Sequence, residues 1–162
     1  MESNDSKNKS TRRIIVVAVI VLSIIPLVIS INFIWLFNEI KFNQDKWQGF
    51  EITDYQITTK LDDFSEISGT YKLDVKNGEV SQLTALHAYW PDAVHPPEDY
   101  YELTVDGLFQ KAYSCVSHYL SYWCSIRFDP QYGYPTEIHI NCDNADICAE
   151  DVTVLDMKLL PK

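Results

Sequence analysis

The stretch Phe128-Asp129-Pro130-Gln131-Tyr132-Gly133-Tyr134-Pro135 constrains the fold more than any other in the chain. It carries two prolines and a glycine between two runs whose apolar residues alternate. Asp129-Pro130 presets a turn, and Gly133 suits a backbone conformation that other residues resist. Pro135 lacks an amide proton, so it fits the first position of a strand and not its middle. Before the turn, Tyr122, Cys124, Ile126 and Phe128 alternate with Trp123, Ser125 and Arg127. After it, Thr136, Ile138 and Ile140 point one way and Glu137, His139 and Asn141 the other. That is the period-2 signature of two half-buried strands joined as a hairpin.

The same period recurs upstream. Tyr55, Ile57, Thr59 and Leu61 alternate, and so do Tyr71, Leu73 and Val75. Asn77-Gly78 then supplies the two positive-φ residues of a type I′ hairpin turn, which sets Val80 opposite Val75. The alternation lapses after Val80, as at a bulge or a strand buried on both faces. Residues 88–103 read as a long proline-broken loop. Thr104 is a helix cap, Asp106 suits the positive helix end, and Leu103 and Leu108 stand at the staple positions. Val105, Leu108, Phe109, Ala112 and Val116 share one helical face, although Gly107 costs about 1 kcal/mol relative to Ala. A last strand, residues 152–159, closes the chain. The expected fold is α+β, in the order β-β-β-α-β-β-β. It is an antiparallel sheet with one helix packed on a face, preceded by an N-terminal transmembrane helix.

That last expectation rests on residues 14–37, which hold 24 residues without a charge. As a helix this run is about 36 Å long, enough for a bilayer core, and Trp35 suits the interface. A cleaved signal peptide has a shorter apolar core and a small-residue cleavage site, which this run lacks. The organisation expected is a basic cytoplasmic tail (1–13), the span (14–37), a tether (38–50) and an extracytoplasmic domain (51–162). The 162-residue chain has a net charge of −10, with +2 on residues 1–13 and −12 on the rest. So acidic a domain repels phosphate backbones, which argues against nucleic acid. The expected location is a cell membrane crossed once, with the N-terminus cytoplasmic.

Cys115, Cys124, Cys142 and Cys148 all lie in the outer part. An even count outside the cytoplasm points to disulfides, and the gaps do not suit zinc, which wants close pairs. Cys115 falls on the last turn of the helix, and Cys124 on the strand face beneath it. Cys142 and Cys148 flank a short loop. This favours Cys115–Cys124 with Cys142–Cys148. Cys124–Cys142 remains the competitor, since the two are diagonal neighbours if Ile126 faces Ile138.

No catalytic motif is present. His87, His95, His118 and His139 form no H-x-x-x-H pair, and no G-x-S-x-G elbow surrounds Ser114, Ser117, Ser121 or Ser125. No cofactor and no metal site is expected. The acidic run Asp143, Asn144, Asp146, Glu150 and Asp151 lacks EF-hand spacing, so weak divalent-cation binding is an alternative only. The aromatic loop with Trp90, His95, Tyr100 and Tyr101 is the candidate partner-binding segment, its aromatic residues otherwise serving to pack the loop down.

Several of these elements occur together in one known pattern. Trp47 with Tyr55, Val75-x-Asn77-Gly78-x-Val80, Thr104-Val105-x-x-Leu108-Phe109 and Phe128-Asp129-Pro130-x-x-Gly133-Tyr134-Pro135-x-x-Ile138 follow in order. The pattern resembles a bacterial family known as domain of unknown function 6174, over about residues 47–158. The resemblance implies a secreted or membrane-attached protein, and no activity, cofactor or catalytic residue. Asn141 stands where the pattern has an aspartate, with Asp143 two places on, so no role of that carboxylate carries over. The function expected is a non-catalytic binding or accessory module of the bacterial envelope, its partner another envelope protein or a glycan. The alternative is a small envelope hydrolase.

Overall fold

The computed structural model describes residues 3–63, 65–89, 97–117, 122–142 and 149–160. The chain divides into two compact units, residues 1–36 and 37–162. Helix α1 runs over Ser3–Gly49 and α2 over Val105–Ser117, with a 3-10 segment at Pro97–Leu103 before it. The strands are β1 (Tyr55–Asp62), β2 (Gly69–Lys76), β3 (Glu79–Ala88), β4 (Tyr122–Phe128), β5 (Pro135–Cys142) and β6 (Glu150–Leu159).

The fold expectation needs two corrections. First, residues 14–37 are not a separate span. They belong to one helix that continues to Gly49, and among the described residues no helix is long and apolar enough to cross a membrane. The helix does not stop where the apolar run stops. It goes on through Glu39, Lys41, Asp45 and Lys46 as an amphipathic stretch. The tether expected at 38–50 is thus helical to Gly49, with Ile40 and Trp47 buried.

Second, the strands do not lie in the sheet in chain order. The six form one antiparallel sheet ordered β3-β2-β1-β6-β5-β4. The last strand enters the centre between β1 and β5. Each hairpin is local and legible from turn chemistry. The β1–β6 pairing joins the two ends of the domain and has no local signal.

One sheet face is the core. Tyr55, Ile57, Thr59 and Leu61 of β1 are buried with Tyr71, Leu73 and Val75 of β2, Ile138 of β5 and Val152 of β6. Helix α2 packs on β4 and β5 and buries Val105, Leu108, Phe109, Ala112, Cys115 and Val116. Each large apolar side chain so buried contributes about 1.5–3 kcal/mol. Thr104 caps α2: its Oγ1 accepts from the Gly107 amide at 3.2 Å. The Tyr55 hydroxyl accepts from the Val105 amide at 3.0 Å and fixes the same helix end to β1. Burial of that hydroxyl pushes the Tyr55 pKa well above the ordinary tyrosine value.

Gly107 has a reason that helix propensity does not reveal. A Cβ there would collide with the backbone of Tyr101 and Glu102, so the 3-10 segment can approach α2 only over a glycine. Asn77 (φ 52°) and Gly78 (φ 80°) form the β2–β3 turn as expected, and Val75 pairs with Val80. The lapse after Val80 is a bulge, since the register shifts between Asp74 and Val75 and again between Thr70 and Tyr71.

Candidate functional site

The signature turn closes the β4–β5 hairpin. The Asp129 carboxylate accepts from the amides of Gln131 (2.9 Å) and Tyr132 (2.6 Å). The Asp129 amide donates to the Tyr134 carbonyl at 2.8 Å, and the Gly133 amide to the Asp129 carbonyl at 2.9 Å. Gly133 has φ 86°, and a Cβ on it would lie 2.6 Å from the Asn43 carbonyl oxygen. Lys46 Nζ donates to the Pro130 carbonyl. The turn is therefore the seat of the last turns of α1. Trp47 of that helix meets Tyr55 edge-on at 5.7 Å and Tyr134 at 5.9 Å. Phe109 stacks on Phe128 with ring centroids 6.4 Å apart.

These contacts join most of the motif into one structural unit at one end of the sheet. A model described as a family of unknown function (DUF6174) matches residues 39–156. The chain belongs to this family. No curated protein and no solved structure matches it. In this DUF6174 domain the signature residues build the fold: they dock α1 and α2 on the sheet.

Ionisable side chains gather elsewhere, on the open sheet face opposite the buried one on which α2 packs. The pairing aligns one row of side chains across all six strands: His87, Thr70, Lys60, Thr153, Glu137 and Arg127. A second row sets Asp62, Asp151, His139 and Ser125 side by side on β1, β6, β5 and β4. Charges in the two rows interlock. Lys60 Nζ pairs with Asp62 at 3.0 Å. Arg127 Nη1 pairs with Glu137 Oε2 at 3.1 Å. His139 Nδ1 lies 2.7 Å from Asp151 Oδ1, and its Nε2 lies 3.6 Å from Glu137 Oε2. The hydrogen bond to Asp151 is the main cause that raises the His139 pKa above the ordinary histidine value. Lys60 is raised too, first by its bond to Asp62, with smaller contributions from Tyr89 and Asp151.

The β1–β2 turn, the end of β3 and the start of β6 meet at one end of the sheet. The start of β4 pairs with the end of β5 at that same end. Trp90, His95, His118, Asp143, Asn144, Asp146, Cys148 and the side chain of Cys142 lie outside the described residues, so the Cys142–Cys148 pairing does too. Cys115 and Cys124 form a disulfide, which rules out the competing Cys124–Cys142 bridge. Tyr100, expected on the partner-binding loop, is buried against Tyr71 at 4.8 Å. Tyr101 is exposed and its hydroxyl accepts from Gln110 at 3.2 Å. Lys111, with its side chain 11% exposed, pairs with Glu102 of the 3-10 segment and Glu150 of β6. Burial opposes its charge, but the two carboxylates outweigh it and raise its pKa. It ties the loop before α2 to the start of β6.

Among the described residues, no group of three or more His, Cys, Asp or Glu side chains is placed to hold a metal ion. Sequence reasoning placed Glu137 and His139 on a polar strand face. It missed Arg127, which faces Glu137 across the β4–β5 hairpin, Asp151, which faces His139 through the β5–β6 pairing, and Lys60 and Asp62, which the β1–β6 register brings alongside.

Proposed function

We propose that the domain is an extracytoplasmic, non-catalytic binding module that presents its open sheet face to another envelope component. The observation that carries the reading is the row of polar side chains that crosses all six strands on the face opposite α2. Lys60 pairs with Asp62, Arg127 with Glu137, and His139 with Asp151 and Glu137, so a ligand meets charged groups that already hold one another in place. The Cys115–Cys124 disulfide supports an oxidising compartment. The test is a photo-reactive residue at Thr153, in the middle of the row, in the full-length chain in intact cells. A discrete adduct is expected from Thr153 and none from Gln110, which is exposed on α2. Equal labelling at both positions, or none at Thr153, defeats the reading.

One observation favours a second reading, a small hydrolase. Ser125, His139 and Asp151 stand in register on adjacent strands, and Asp151 holds the imidazole by Nδ1 as a triad carboxylate does. Against it, Nε2 faces the Glu137 carboxylate, so its proton is drawn there and Nε2 is a poor base toward Ser125. A fluorophosphonate probe separates the readings: labelling that disappears in Ser125→Ala supports the hydrolase.

A further inference from the structure

The open face has the composition of a surface for sugars. At the β3 edge, His87 and Tyr89 pack edge-to-face at 5.3 Å and 83°. The Tyr89 amide is anchored to the Ser68 carbonyl at 3.1 Å, and the residue remains 48% exposed. From this aromatic pair the polar row runs to Arg127 on the opposite edge, whose side chain is 73% exposed. Five strand spacings of about 4.8 Å give a track of about 24 Å.

Two features decide what the track takes. The first is charge. Lys60 and Arg127 stand against Asp62, Glu137 and Asp151, and a protonated His139 completes the balance. With His139 protonated this patch is locally neutral, on a chain of net charge −10, and selects neither polyanions nor polycations. The second is accessible acceptor capacity. Asp62 uses Oδ2, Glu137 uses Oε2 and Asp151 uses Oδ1. Each carboxylate can accept at both oxygens, and the side chains of Asp62, Glu137 and Asp151 are 50%, 31% and 58% exposed, so a ligand can reach them. Hydroxyl groups are the neutral donors that suit these oxygens, and the apolar face of a sugar ring suits an exposed tyrosine ring.

We propose that this face binds an uncharged, hydroxyl-rich glycan strand lying across the strands, with Tyr89 as its stacking platform. The proposal rests on the binding-module reading above and names its ligand class.

The experiment is calorimetric titration of the full-length chain with three uncharged hexaoses: chitohexaose, cellohexaose and maltohexaose. Fully deacetylated chitosan hexamer and hexagalacturonate serve as cationic and anionic counterparts. At least one uncharged hexaose is expected to bind about tenfold or more tightly than either charged oligomer. Tyr89→Ala and Asp151→Asn are each expected to weaken that binding by about tenfold, while Tyr89→Phe retains it. Unchanged melting temperatures keep loss of fold apart from loss of binding. Binding by none of the uncharged hexaoses overturns the proposal, as does preference for a charged oligomer or indifference to Tyr89→Ala. If a Thr153 adduct forms while the hexaoses fail, the binding-module reading stands and the glycan assignment falls. If neither is seen, both fall.

Discussion

The indole of Trp47 meets the ring of Tyr134 edge-on, with centroids 5.9 Å apart, and meets Tyr55 in the same way at 5.7 Å. One side chain near the end of α1 thus holds the signature turn and the first strand together. Removing it leaves a cavity between three elements. Trp47→Ala is expected to destabilise the domain by about 3–5 kcal/mol, and Trp47→Phe by less. Urea denaturation followed by far-UV circular dichroism measures both. A loss below 1 kcal/mol, on the order of a surface change, refutes the docking role.

Two glycines give a test of sign. Helix propensity alone says Gly107→Ala stabilises α2 by about 1 kcal/mol. The structure says the opposite, because the new methyl group meets the backbone of Tyr101 and Glu102. Gly133→Ala adds a left-handed backbone cost of about 1–2 kcal/mol to its collision with Asn43. Both variants are expected to unfold at lower denaturant concentration than the wild type. A stabilised Gly107→Ala would mean that the 3-10 segment does not sit against α2.

These glycines also mark the limit of what the sequence discloses. The hairpins were legible because Asn77-Gly78 and Asp129-Pro130 are local signals, and the helix because Thr104 and its apolar stripe are local too. The end of α1 was not. Ile40 and Trp47 are seven residues apart and share a helical face, but they follow an apolar run that dominates the reading, so the segment passed for a tether. The β1–β6 register was not legible either, since nothing near Asp62 announces Asp151. The open-face rows depend on that register. Their individual residues looked like ordinary polar strand positions.

Lys111 is the next test. Its ammonium lies between Glu102 and Glu150, and little of the side chain reaches solvent. Lys111→Met leaves both carboxylates without their counter-charge. Glu102 is 40% exposed at its side chain and recovers some hydration, so the expected cost is about 1–3 kcal/mol. Adding Glu150→Leu to Lys111→Met is expected to restore part of it. A double-mutant cycle measures the coupling, and simple additivity would refute it.

The disulfide joins the end of α2 to β4. Its short loop gives about 2–3 kcal/mol on the chain-entropy account. The paired substitution Cys115→Ala with Cys124→Ala is expected to lose that amount. Mapping of unreduced peptides is expected to recover residues 115 and 124 in one fragment. A fragment joining 124 to 142 would refute the pairing.

The last prediction concerns pH. His139 bridges Asp151 and Glu137 on the open face, and its pKa is raised above 6.5 in the folded state, first by the hydrogen bond to Asp151. A raised histidine binds its proton more tightly when folded than when unfolded, so protonation favours the folded state. That contribution is fully present below the unfolded value and is lost as pH rises through the folded one. The side chain is 46% exposed, so solvent screens the effect and the expected change is small. The wild-type melting temperature should therefore drift downward as pH rises through the region just above 6.5, when the salt concentration is held fixed. His139→Gln keeps a hydrogen-bonding side chain on the row but cannot titrate, and its melting temperature should lack that drift. The same window governs the local charge balance of the face. When His139 loses its proton the patch gains net negative charge, so a polycation should begin to bind there only on the alkaline side. Equal pH slopes for the wild type and His139→Gln would show that the imidazole is not engaged by the two carboxylates.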